Sequence, residues 1–543
     1  MSFVANRAPF LYMVSNIHKI AGLLPLLFCL VSAVPTSFDE PWTSPFSVRS
    51  NTVGNSCPIL PDYSPEPWPV LFPPFDSDKA DLMRYRFQSG VNLGSWFVTE
   101  KWISPSLYKC AHDGEKGDLA ILRGYGNSSQ GIQSARARLE EHWDKWITAG
   151  EFAKMHNEYQ INAVRIPIGY WNLPGARFTK DTPFEPWTDV YKNCWKYVRR
   201  AIKMAADNEI GVVLDLHGAY GSQNGKANTG FNGFDTEFFQ SNNEKRTKEA
   251  LVWIANDLKD VTNFVGIELL NEPEDKGGLG WWYKTTAQAI HDIGGNAANL
   301  PVYFGNPPGP SNIAESVSSH SFTAFDVHEY YTFTNRNKPE PEILKNVLGH
   351  NFDRFMNLKN STKNRLVIGE WSCALDPASL SGSKSNHAAE RAEFCQAQIQ
   401  SYRNASSAMF FWSYKYENCE KWGGWCFDKM WGQYIKNYGG YGMQSVDSSN
   451  LPNVPFIPAL GQSQLNFQGY KDGMNIARKL ASQQPSTPLG FKYDYMQLMW
   501  NRHSYQGDFS DYENGFNKGL LKVQCKIESL SSYKSRECSN FQD

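Results

Sequence analysis

Two glutamates in this 543-residue chain stand where short apolar runs end. Glu272 follows the run 265–270 and lies between Asn271 and Pro273, whereas Glu370 follows the run 366–368. A pair of carboxyl groups can cleave a glycosidic bond, because one protonates the leaving oxygen while the other meets the cationic sugar from the opposite side. A charged residue directly after an apolar strand is seldom merely solvated. We therefore expect the two glutamates to share one reaction centre.

The elements that must position them form a regular alternation. From about residue 86 onward, short β-branched runs alternate with amphipathic stretches of ten to twenty residues, which is typical of βα units. The candidate strands are 89–93, 163–166, 211–216, 265–270, 302–304, 324–327, 366–368 and 408–412. The plainest helices are 135–159, 189–208, 244–259, 341–358 and 387–403. Eight strands predict an α/β fold of the (β/α)8 TIM-barrel class rather than an open doubly wound sheet, and no G-x-G-x-x-G turn follows the first strand.

Barrel active sites form where the strands end, and the fourth and seventh strands face each other across the barrel. Polar residues stand at other strand ends, namely Arg165, His217, His328 and Tyr330. An arginine beside a carboxylate keeps it ionised, while histidine and tyrosine can orient it by hydrogen bonds. Each one alone could be a satisfied core residue, but together they predict a polar pocket at the barrel mouth.

Net charge and composition indicate which classes of partner the protein binds. Lys+Arg 53 against Asp+Glu 55 gives a net charge of −2, which argues against nucleic acid and against a protein held electrostatically on a membrane. Aromatic residues make up 14% of the chain, including 18 Trp, and aromatic faces suit the stacking of neutral sugars. No C-x-x-C or H-E-x-x-H spacing supports a metal site, and we expect no cofactor.

The N-terminus predicts secretion. Basic residues precede an apolar run at 20–34, and small residues place the cleavage site of a signal peptide, residues 1–33, near Ala33. A signal-anchor is the alternative, although the run is short for a membrane-spanning helix. Acceptor triplets for N-glycosylation begin at Asn127, Asn360 and Asn404. We expect a soluble mature protein without stable membrane insertion.

Three regions follow the predicted signal peptide. Residues 34–80 are dense in proline and predict an irregular arm, residues 81–445 the catalytic barrel, and residues 446–543 a C-terminal extension. Packed helices are the expected form of the extension, with a separate carbohydrate-binding module as the alternative. Within it, the segment 469–473 is faintly echoed by 515–519, each with a glycine at both ends.

Nine cysteines lie beyond the predicted signal peptide, so in an oxidising compartment at least one stays unpaired. The nearest neighbours in sequence predict two local disulfides, Cys419 with Cys426 and Cys525 with Cys538.

Seven ordered motifs carry a resemblance to a known family. They are GVNLGSW at 90–96, EHW at 141–143, RIP at 165–167, LHGA at 216–219, GSQNG at 221–225, ELLNEP at 268–273 and IGEWS at 368–372. Over residues 86–428 the chain resembles glycoside hydrolase family 5, particularly its fungal exo-β-1,3-glucanases. The resemblance implies Glu272 as acid/base, Glu370 as nucleophile and a surrounding catalytic shell of Arg165, His217, Asn271, His328 and Tyr330. It also implies that Glu100 binds the terminal glucose near Asn228, and that Phe333 forms one side of an aromatic clamp.

Two places depart from the family pattern. Where the glucanases usually have Phe-Asp-Asn after Gly225, this chain has Lys226, Ala227 and Asn228, so one half of the aromatic clamp is missing. At the eighth strand the usual second Trp is replaced by Tyr414, so we expect the aromatic floor of the sugar site to be Tyr414 rather than a Trp, with Trp412 as a further substrate-binding candidate.

The expected reaction is a retaining double displacement that releases glucose from β-1,3-glucan of the cell wall, by a secreted, monomeric enzyme. Transglycosylation would follow when a sugar acceptor replaces water. We expect ionised Glu370, held by Arg165, to raise the pKa of Glu272 so that the two carboxyl groups divide their roles. Two alternatives stay open: a β-glucosidase acting on a glycolipid or steryl glucoside, and a catalytically silent wall-binding protein.

Overall fold

The computed structural model describes residues 57–112, 114–231, 235–307, 312–336, 338–380, 387–421, 423–531 and 533–539. The chain divides into two units, residues 1–45 and 46–543, and every described residue belongs to the second. The predicted signal peptide and residues 34–56 of the predicted arm lie outside the described residues.

Eight parallel strands close into a barrel in sequence order, which confirms the predicted fold class. The first strand pairs with the eighth, so the described sheet closes on itself. The strands are β1 (Gln88–Asn92), β2 (Ala163–Gly169), β3 (Gly211–Gly218), β4 (Phe264–Glu268), β5 (Val302–Gly305), β6 (Thr323–Glu329), β7 (Leu366–Trp371) and β8 (Ala408–Phe411). All eight predicted strands exist, with ends that differ by at most three residues.

Helices surround the barrel and continue beyond it. They are α1 (Ser77–Tyr85), α2 (Asp118–Tyr125), α3 (Ser129–Lys145), α4 (Ala149–Asn157), α5 (Ala176–Thr179), α6 (Cys194–Ala206), α7 (Ser241–Leu258), α8 (Leu279–His291), α9 (Ile313–Ser318), α10 (Tyr331–Thr334), α11 (Glu340–Leu348), α12 (His350–Ser361), α13 (His387–Ala405), α14 (Phe427–Met430), α15 (Gln464–Ala481), α16 (Lys492–Arg502), α17 (Phe509–Leu530) and α18 (Arg536–Ser539). Among these, none combines the length and the apolar character that a membrane crossing requires.

Two predicted long helices are each divided in two. The stretch 135–159 breaks between α3 and α4, where Thr148 and Glu151 form a capping box that starts a new helix. The stretch 341–358 breaks at Gly349, between α11 and α12. The sequence did not reveal either break, because the amphipathic pattern continues across both of them even though the helix axis changes direction.

The C-terminal extension is helical, as predicted, and covers the end of the barrel where the strands begin. Met474, Phe491 and Phe516 join one buried apolar cluster with residues from the strands, including Val213 and Val265. Deeper in the same region, the guanidinium of Arg365 donates to both carboxylate oxygens of Asp494, at 2.9 Å from Nε to Oδ2 and 2.6 Å from Nη2 to Oδ1. The extension therefore shares a core with the barrel.

The glycine echo in the extension has a packing reason. A Cβ atom added to Gly473 in α15 would lie 2.2 Å from the carbonyl oxygen of Phe516, and one added to Gly519 in α17 would lie 2.0 Å from that of Tyr470. Glycines four residues apart lie on one helix face, so two such faces let the backbones of α15 and α17 touch. A Cβ atom added to Gly469 would lie 2.1 Å from the carbonyl oxygen of Tyr512, whereas one added to Gly473 meets that of Phe516, so residue numbers rise together along both helices and the two helices are parallel.

The described part of the arm is irregular and contacts the helices around the barrel. Residues 58–76 contain no helix or strand, and the Tyr63 hydroxyl donates to Asp144 Oδ2 at 2.6 Å.

Both predicted local disulfides, Cys419–Cys426 and Cys525–Cys538, are confirmed. The sequence did not identify two further bridges, Cys57–Cys110 and Cys373–Cys395. Among the described cysteines Cys194 is free and buried.

Candidate active site

The structure brings the two glutamates to the same end of the barrel. Glu272 lies four residues beyond the end of β4, while Glu370 is the next-to-last residue of β7. His328 at the end of β6 stands between them, with its Nδ1 atom 3.1 Å from Glu272 Oε1 and 3.4 Å from Glu370 Oε2. An oxygen of each carboxylate and this nitrogen all lie within 4.8 Å of one another. Carboxyl groups about 5–5.5 Å apart are typical of retaining glycosidases, whereas inverting enzymes need about 6.5–9.5 Å.

Arg165 in β2 is the centre of the hydrogen-bond network beneath these glutamates. The side chain is 1% exposed and its donors all meet oxygen acceptors. The contacts run from Nε to Glu268 Oε2 at 2.6 Å, from Nη1 to Asn92 Oδ1 at 2.9 Å and Glu370 Oε1 at 3.0 Å, and from Nη2 to Asn271 Oδ1 at 3.0 Å and Asp215 Oδ2 at 3.1 Å. The guanidinium thus fixes one oxygen of Glu370 and orients the amide of Asn271.

The other oxygen of Glu370 has its own partner. The hydroxyl of Tyr330 donates to Glu370 Oε2 at 2.7 Å. A carboxylate that accepts from a guanidinium and a hydroxyl is held in one orientation. The geometry suits a nucleophile that must attack from one direction.

Sequence reasoning missed three carboxylates that form a buried layer below the site. Asp215, Glu268 and Asp326 are each at most 1% exposed and surround Arg165. Burial raises the pKa of Glu268 well above its usual range, even though Arg165 lowers it, and burial also raises the pKa of Asp326. An acidic residue inside an apolar strand was the available signal, because alternate strand positions point into the barrel.

His217 at the end of β3 links this layer to the pocket. Its Nδ1 atom lies 2.5 Å from Asp215 Oδ2, and its Nε2 atom lies 3.4 Å from the Asn271 amide nitrogen. Burial alone would lower the pKa of His217, but Asp215 raises it. The ring stacks on Trp412, with 5.7 Å between centroids and 9° between planes. The indole of Trp412 therefore lies against the imidazole of His217.

The electrostatics of Glu272 contradict one expectation from the sequence. Lys226 Nζ lies 3.1 Å from Glu272 Oε2, opposite the contact with His328. Burial raises the pKa of Glu272, but Lys226 and His328 together lower it far below its usual range. The hypothesis that Glu370 raises this pKa is wrong for the structure as it stands, since two cations touch the carboxylate directly.

His328 is the second of those cations. Burial would lower its pKa, yet Glu370 and Glu272 raise it to about 10. Among the described residues, two sets of side chains are spaced closely enough to hold an ion, and both include this imidazole: His328 with Glu272 and Glu370, and His328 with Glu268 and Asp326. A protonated imidazole is a donor and not a metal ligand. The imidazole of His328 therefore stands as a hydrogen-bond donor between the two carboxylates.

Aromatic rings form a rim beside the glutamates. Phe333 lies 5.9 Å from Trp425 between ring centroids, and Trp425 lies 5.3 Å from Tyr330. Trp425 also meets Trp102, whose indole nitrogen donates to Glu100 Oε2 at 2.8 Å. Burial raises the pKa of Glu100 to about 7. Trp425 was not identified from the sequence, because it stands in a loop beyond β8 where no pattern marks it.

Two residues that the sequence predicts for the sugar site, Tyr414 and Asn228, have surroundings unlike those of the other predicted site residues. Tyr414 is 1% exposed and belongs to the main hydrophobic core, where the charged groups near its hydroxyl include Glu151 and Asp428. Tyr414 as an aromatic floor is therefore corrected, because its ring packs among core residues and not beside the glutamates. Asn228 lies in the short turn Ala227–Thr229, and its buried Oδ1 atom has no hydrogen-bond partner within the part of the chain that the structure describes.

The barrel with opposed carboxyl groups at its mouth defines the class of a retaining glycosidase. Comparison with known proteins agrees. The family described as "Cellulase (glycosyl hydrolase family 5)" matches residues 125–418, and the chain belongs to glycoside hydrolase family 5. It is a glycoside hydrolase, and enzymes of this family are retaining.

Curated relatives are fungal. Glucan 1,3-beta-glucosidase 3 of Schizosaccharomyces pombe is 33% identical over 368 residues, which cover 66% of this chain and 76% of the relative. Glucan 1,3-beta-glucosidase of Candida oleophila is 28% identical over 382 residues, which cover 61% of this chain and 85% of the relative. Among solved structures, rutinosidase from Aspergillus niger matches with a TM-score of 0.52 and 18% identity, covering 65% of this chain and 99% of that one. This last likeness is one of fold.

Proposed function

We propose that the enzyme releases glucose from β-1,3-glucan by a retaining double displacement. The observation that carries the proposal is the pair of glutamate oxygens within 4.8 Å, bridged by His328. The fungal relatives named as glucan 1,3-beta-glucosidases support the substrate.

Glu370 is the nucleophile in this proposal, and Glu272 is the acid and then the base. Arg165 and Tyr330 hold the Glu370 carboxylate, so that it attacks the anomeric carbon while Glu272 protonates the departing oxygen. Water activated by Glu272 then hydrolyses the glycosyl-enzyme. Asn271, whose amide oxygen accepts from Arg165, hydrogen-bonds the sugar 2-hydroxyl in this proposal.

The remaining side chains bind and position the glucan. His217 and Trp412 form one wall through their stacked rings, and Glu100 binds the terminal glucose close to Asn228. Phe333 stacks on the next sugar, with Trp425 beside it in the aromatic rim. A sugar acceptor that occupies this rim in place of water gives transglycosylation.

The enzyme acts outside the cell in association with the wall, as a monomer. Residues 1–33 are removed as a signal peptide, residues 34–80 form the arm, residues 81–445 form the catalytic barrel and residues 446–543 form the extension. The four disulfides support an oxidising compartment.

Hydrolysis of laminaritriose, followed by proton NMR during the first minutes, tests the proposal. We expect β-glucose as the first monosaccharide, with α-glucose appearing only later through mutarotation. Release of α-glucose first would refute retention. Cleavage of longer laminari-oligosaccharides without any glucose would refute release from the chain end.

A further inference from the structure

A cavity of about 270 Å³ lies between the barrel and the C-terminal extension. From the barrel it is lined by Phe87, Asn364 and Ser406, which immediately precede the strands β1, β7 and β8. From the extension it is lined by Lys492, the first residue of α16, and by Leu520 in α17. The cavity therefore belongs to the end of the barrel where the strands begin, and the proposed catalytic glutamates lie at the other end.

Positive charge dominates the lining of this cavity. Among the described residues that line it, the basic side chains are Lys359, Arg403, Lys492 and Arg536, and the one carboxylate is Glu537. Four positive charges against one negative charge leave three in excess. A concave site with an excess of one sign attracts ions of the other sign, because its walls of low dielectric constant focus the field.

The two lysines of the cavity share a single carboxylate. Lys359 Nζ lies 3.6 Å from Glu537 Oε1 and 2.9 Å from the carbonyl oxygen of Asn404. Burial raises the pKa of Glu537, but Lys492 and Lys359 lower it below its usual range, so both ammonium groups act on this one anion. Burial lowers the pKa of Lys359 even though Glu537 raises it, and Lys492 lowers it further. Glu537 alone therefore does not balance the two lysines.

Arg403 adds a buried guanidinium to the same lining. Its Nη2 atom donates to the carbonyl oxygens of Asn437 and Gly439, and its guanidinium carbon lies 5.2 Å from the ring centroid of Tyr533. Its Nε atom is buried and has no hydrogen-bond partner in the part of the chain that the structure describes. Burial lowers the pKa of Arg403 to about 10. The guanidinium thus keeps positive charge and one unused donor beside the cavity, which is unfavourable for a buried group.

We propose that this cavity is a binding site for a phosphate monoester or inorganic phosphate, which joins the barrel to the extension. A phosphate group carries nearly two negative charges and at least three acceptor oxygens, whereas a carboxylate carries one charge and two oxygens. Both arginine and lysine bind phosphate, arginine through its planar fork and lysine as a point charge. The volume far exceeds the roughly 10–15 Å³ that one water needs, and Phe352 and Met356 of α12 add apolar lining for a small organic substituent.

A ligand in this position stabilises the folded enzyme without entering the reaction. It contacts the barrel and the extension together in the native state, so by linkage it raises the midpoint of thermal unfolding. The site uses neither Glu272 nor Glu370. The proposal is therefore independent of the proposed function.

Isothermal titration calorimetry of the whole enzyme at low ionic strength tests the binding. The probes are inorganic phosphate and glycerol 3-phosphate, with acetate and glycerol as controls for a single charge and for the uncharged part. Asn404, which begins an acceptor triplet for N-glycosylation, also lines the cavity, so N-linked glycans are removed enzymatically beforehand. We expect one site for at least one phosphate probe with a Kd below about 1 mM, and no binding of the controls in that range. No binding of either phosphate probe would overturn the proposal.

Variants place the ligand in the cavity. Lys492 is partly buried and Arg536 is exposed, so the double variant Lys492→Gln/Arg536→Gln leaves the apolar core intact. Its affinity for phosphate should fall at least about tenfold, the effect of about one charge-assisted hydrogen bond. Lys479→Gln, an exposed lysine of α15 outside the lining, is the matched control and should bind like the wild type. Equal affinity in the double variant and the wild type would contradict the site.

Two further measurements separate this site from the mouth and from structural effects. At saturating phosphate, the midpoint of thermal unfolding of the wild type should rise by about 2–4 °C, and that of the double variant should not move. Initial rates on an aryl β-glucoside should stay unchanged, because the ligand binds at the opposite end. Competitive inhibition by phosphate that persists in the double variant would place the anion at the mouth and refute the proposal.

Vesicles distinguish the source of the phosphate group. The probe is a phosphatidylcholine vesicle that contains phosphatidic acid, and the control is a vesicle of phosphatidylcholine alone. Sedimentation with the first vesicle only, lost in the double variant, identifies a lipid headgroup as the ligand. Binding of the soluble probes without sedimentation identifies a free phosphate compound. Sedimentation that the double variant retains, without binding of the soluble probes, would contradict the proposal.

Discussion

The two ends of the barrel differ in the kind of side chain that they bring together. Where the strands end, Arg165, Glu272, His328 and Glu370 bring charges together in a pocket. Where the strands begin, the extension adds apolar side chains and helix backbones in direct contact. Buried charges cost solvation, and those at the mouth serve the chemistry, whereas apolar burial at the base stabilises without reacting. Substitutions at the mouth should therefore change the reaction, and substitutions at the base should change only stability.

The largest expected effect is at the mouth, in Glu370→Gly. Without a nucleophile no glycosyl-enzyme forms, and kcat should fall by about 10⁴-fold or more. Initial rates on an aryl β-glucoside measure this loss. Glu274→Gln, a nearby glutamate paired with Lys276, is the control and should keep nearly full activity.

Arg165→Met and Arg365→Met compare a buried arginine at each end. Each leaves buried carboxylates without their partner, which should lower the free energy of unfolding by about 3–5 kcal/mol. Urea denaturation measures both. Only Arg165→Met should also lower the kcat of the folded fraction, because Arg165 holds Glu370 while Arg365 holds Asp494. An equal loss of kcat in both variants would break the comparison.

Tyr330→Phe removes one hydrogen bond from the proposed nucleophile. Since hydrogen bonds to charged groups contribute about 1.5–3 kcal/mol, kcat/KM should fall about 10- to 100-fold with little change in stability. Tyr331→Phe is the matched control: its hydroxyl accepts from Asn351 at 2.8 Å, away from the glutamates, and kcat/KM should stay within about twofold. Unchanged activity in Tyr330→Phe would remove Tyr330 from the mechanism.

Gly519→Ala lies in the extension, at the end of the barrel where the strands begin, and should give the smallest effect. Its added Cβ would lie 2.0 Å from the Tyr470 carbonyl oxygen, so α15 and α17 must separate, at a cost of about 1–3 kcal/mol. Thermal unfolding should show the loss, while kcat and its pH profile stay as in the wild type. Gly150→Ala in α4, where the nearest atom would be 3.8 Å away, should be neutral or slightly stabilising. A changed pH profile in Gly519→Ala would mean that the two ends are coupled.

The same contrast explains what the sequence could predict. The eight strands were identifiable because each is a short apolar run with turn residues beyond it, a local property. The residues at the strand ends, such as Arg165 and Glu370, converge by the symmetry of a closed barrel, so their meeting followed from the fold. The helical extension was likewise predicted from the loss of βα alternation.

Contacts made by loops could not be predicted in this way. From the sequence, Lys226 was identified only as a departure from the family pattern. Nothing in the neighbouring sequence shows that its ammonium group reaches Glu272. Tyr414 was misplaced because strand alternation stops at Phe411, so the direction of a side chain three residues later depends on tertiary packing. The glycine pairs of α15 and α17 were visible as an echo, but their contact required both helices to be placed.

The central claim is that Glu370 attacks the sugar and Glu272 exchanges the proton, and azide tests the two roles together. With 2,4-dinitrophenyl β-D-glucoside as substrate, Glu370→Gly should form α-glucosyl azide, because azide attacks directly from the face that Glu370 leaves open. Glu272→Ala should form β-glucosyl azide, because azide enters after Glu370 has already inverted the centre once. NMR of the isolated products reads the anomeric configuration. The same configuration from both variants, or the two configurations exchanged, would contradict the assignment.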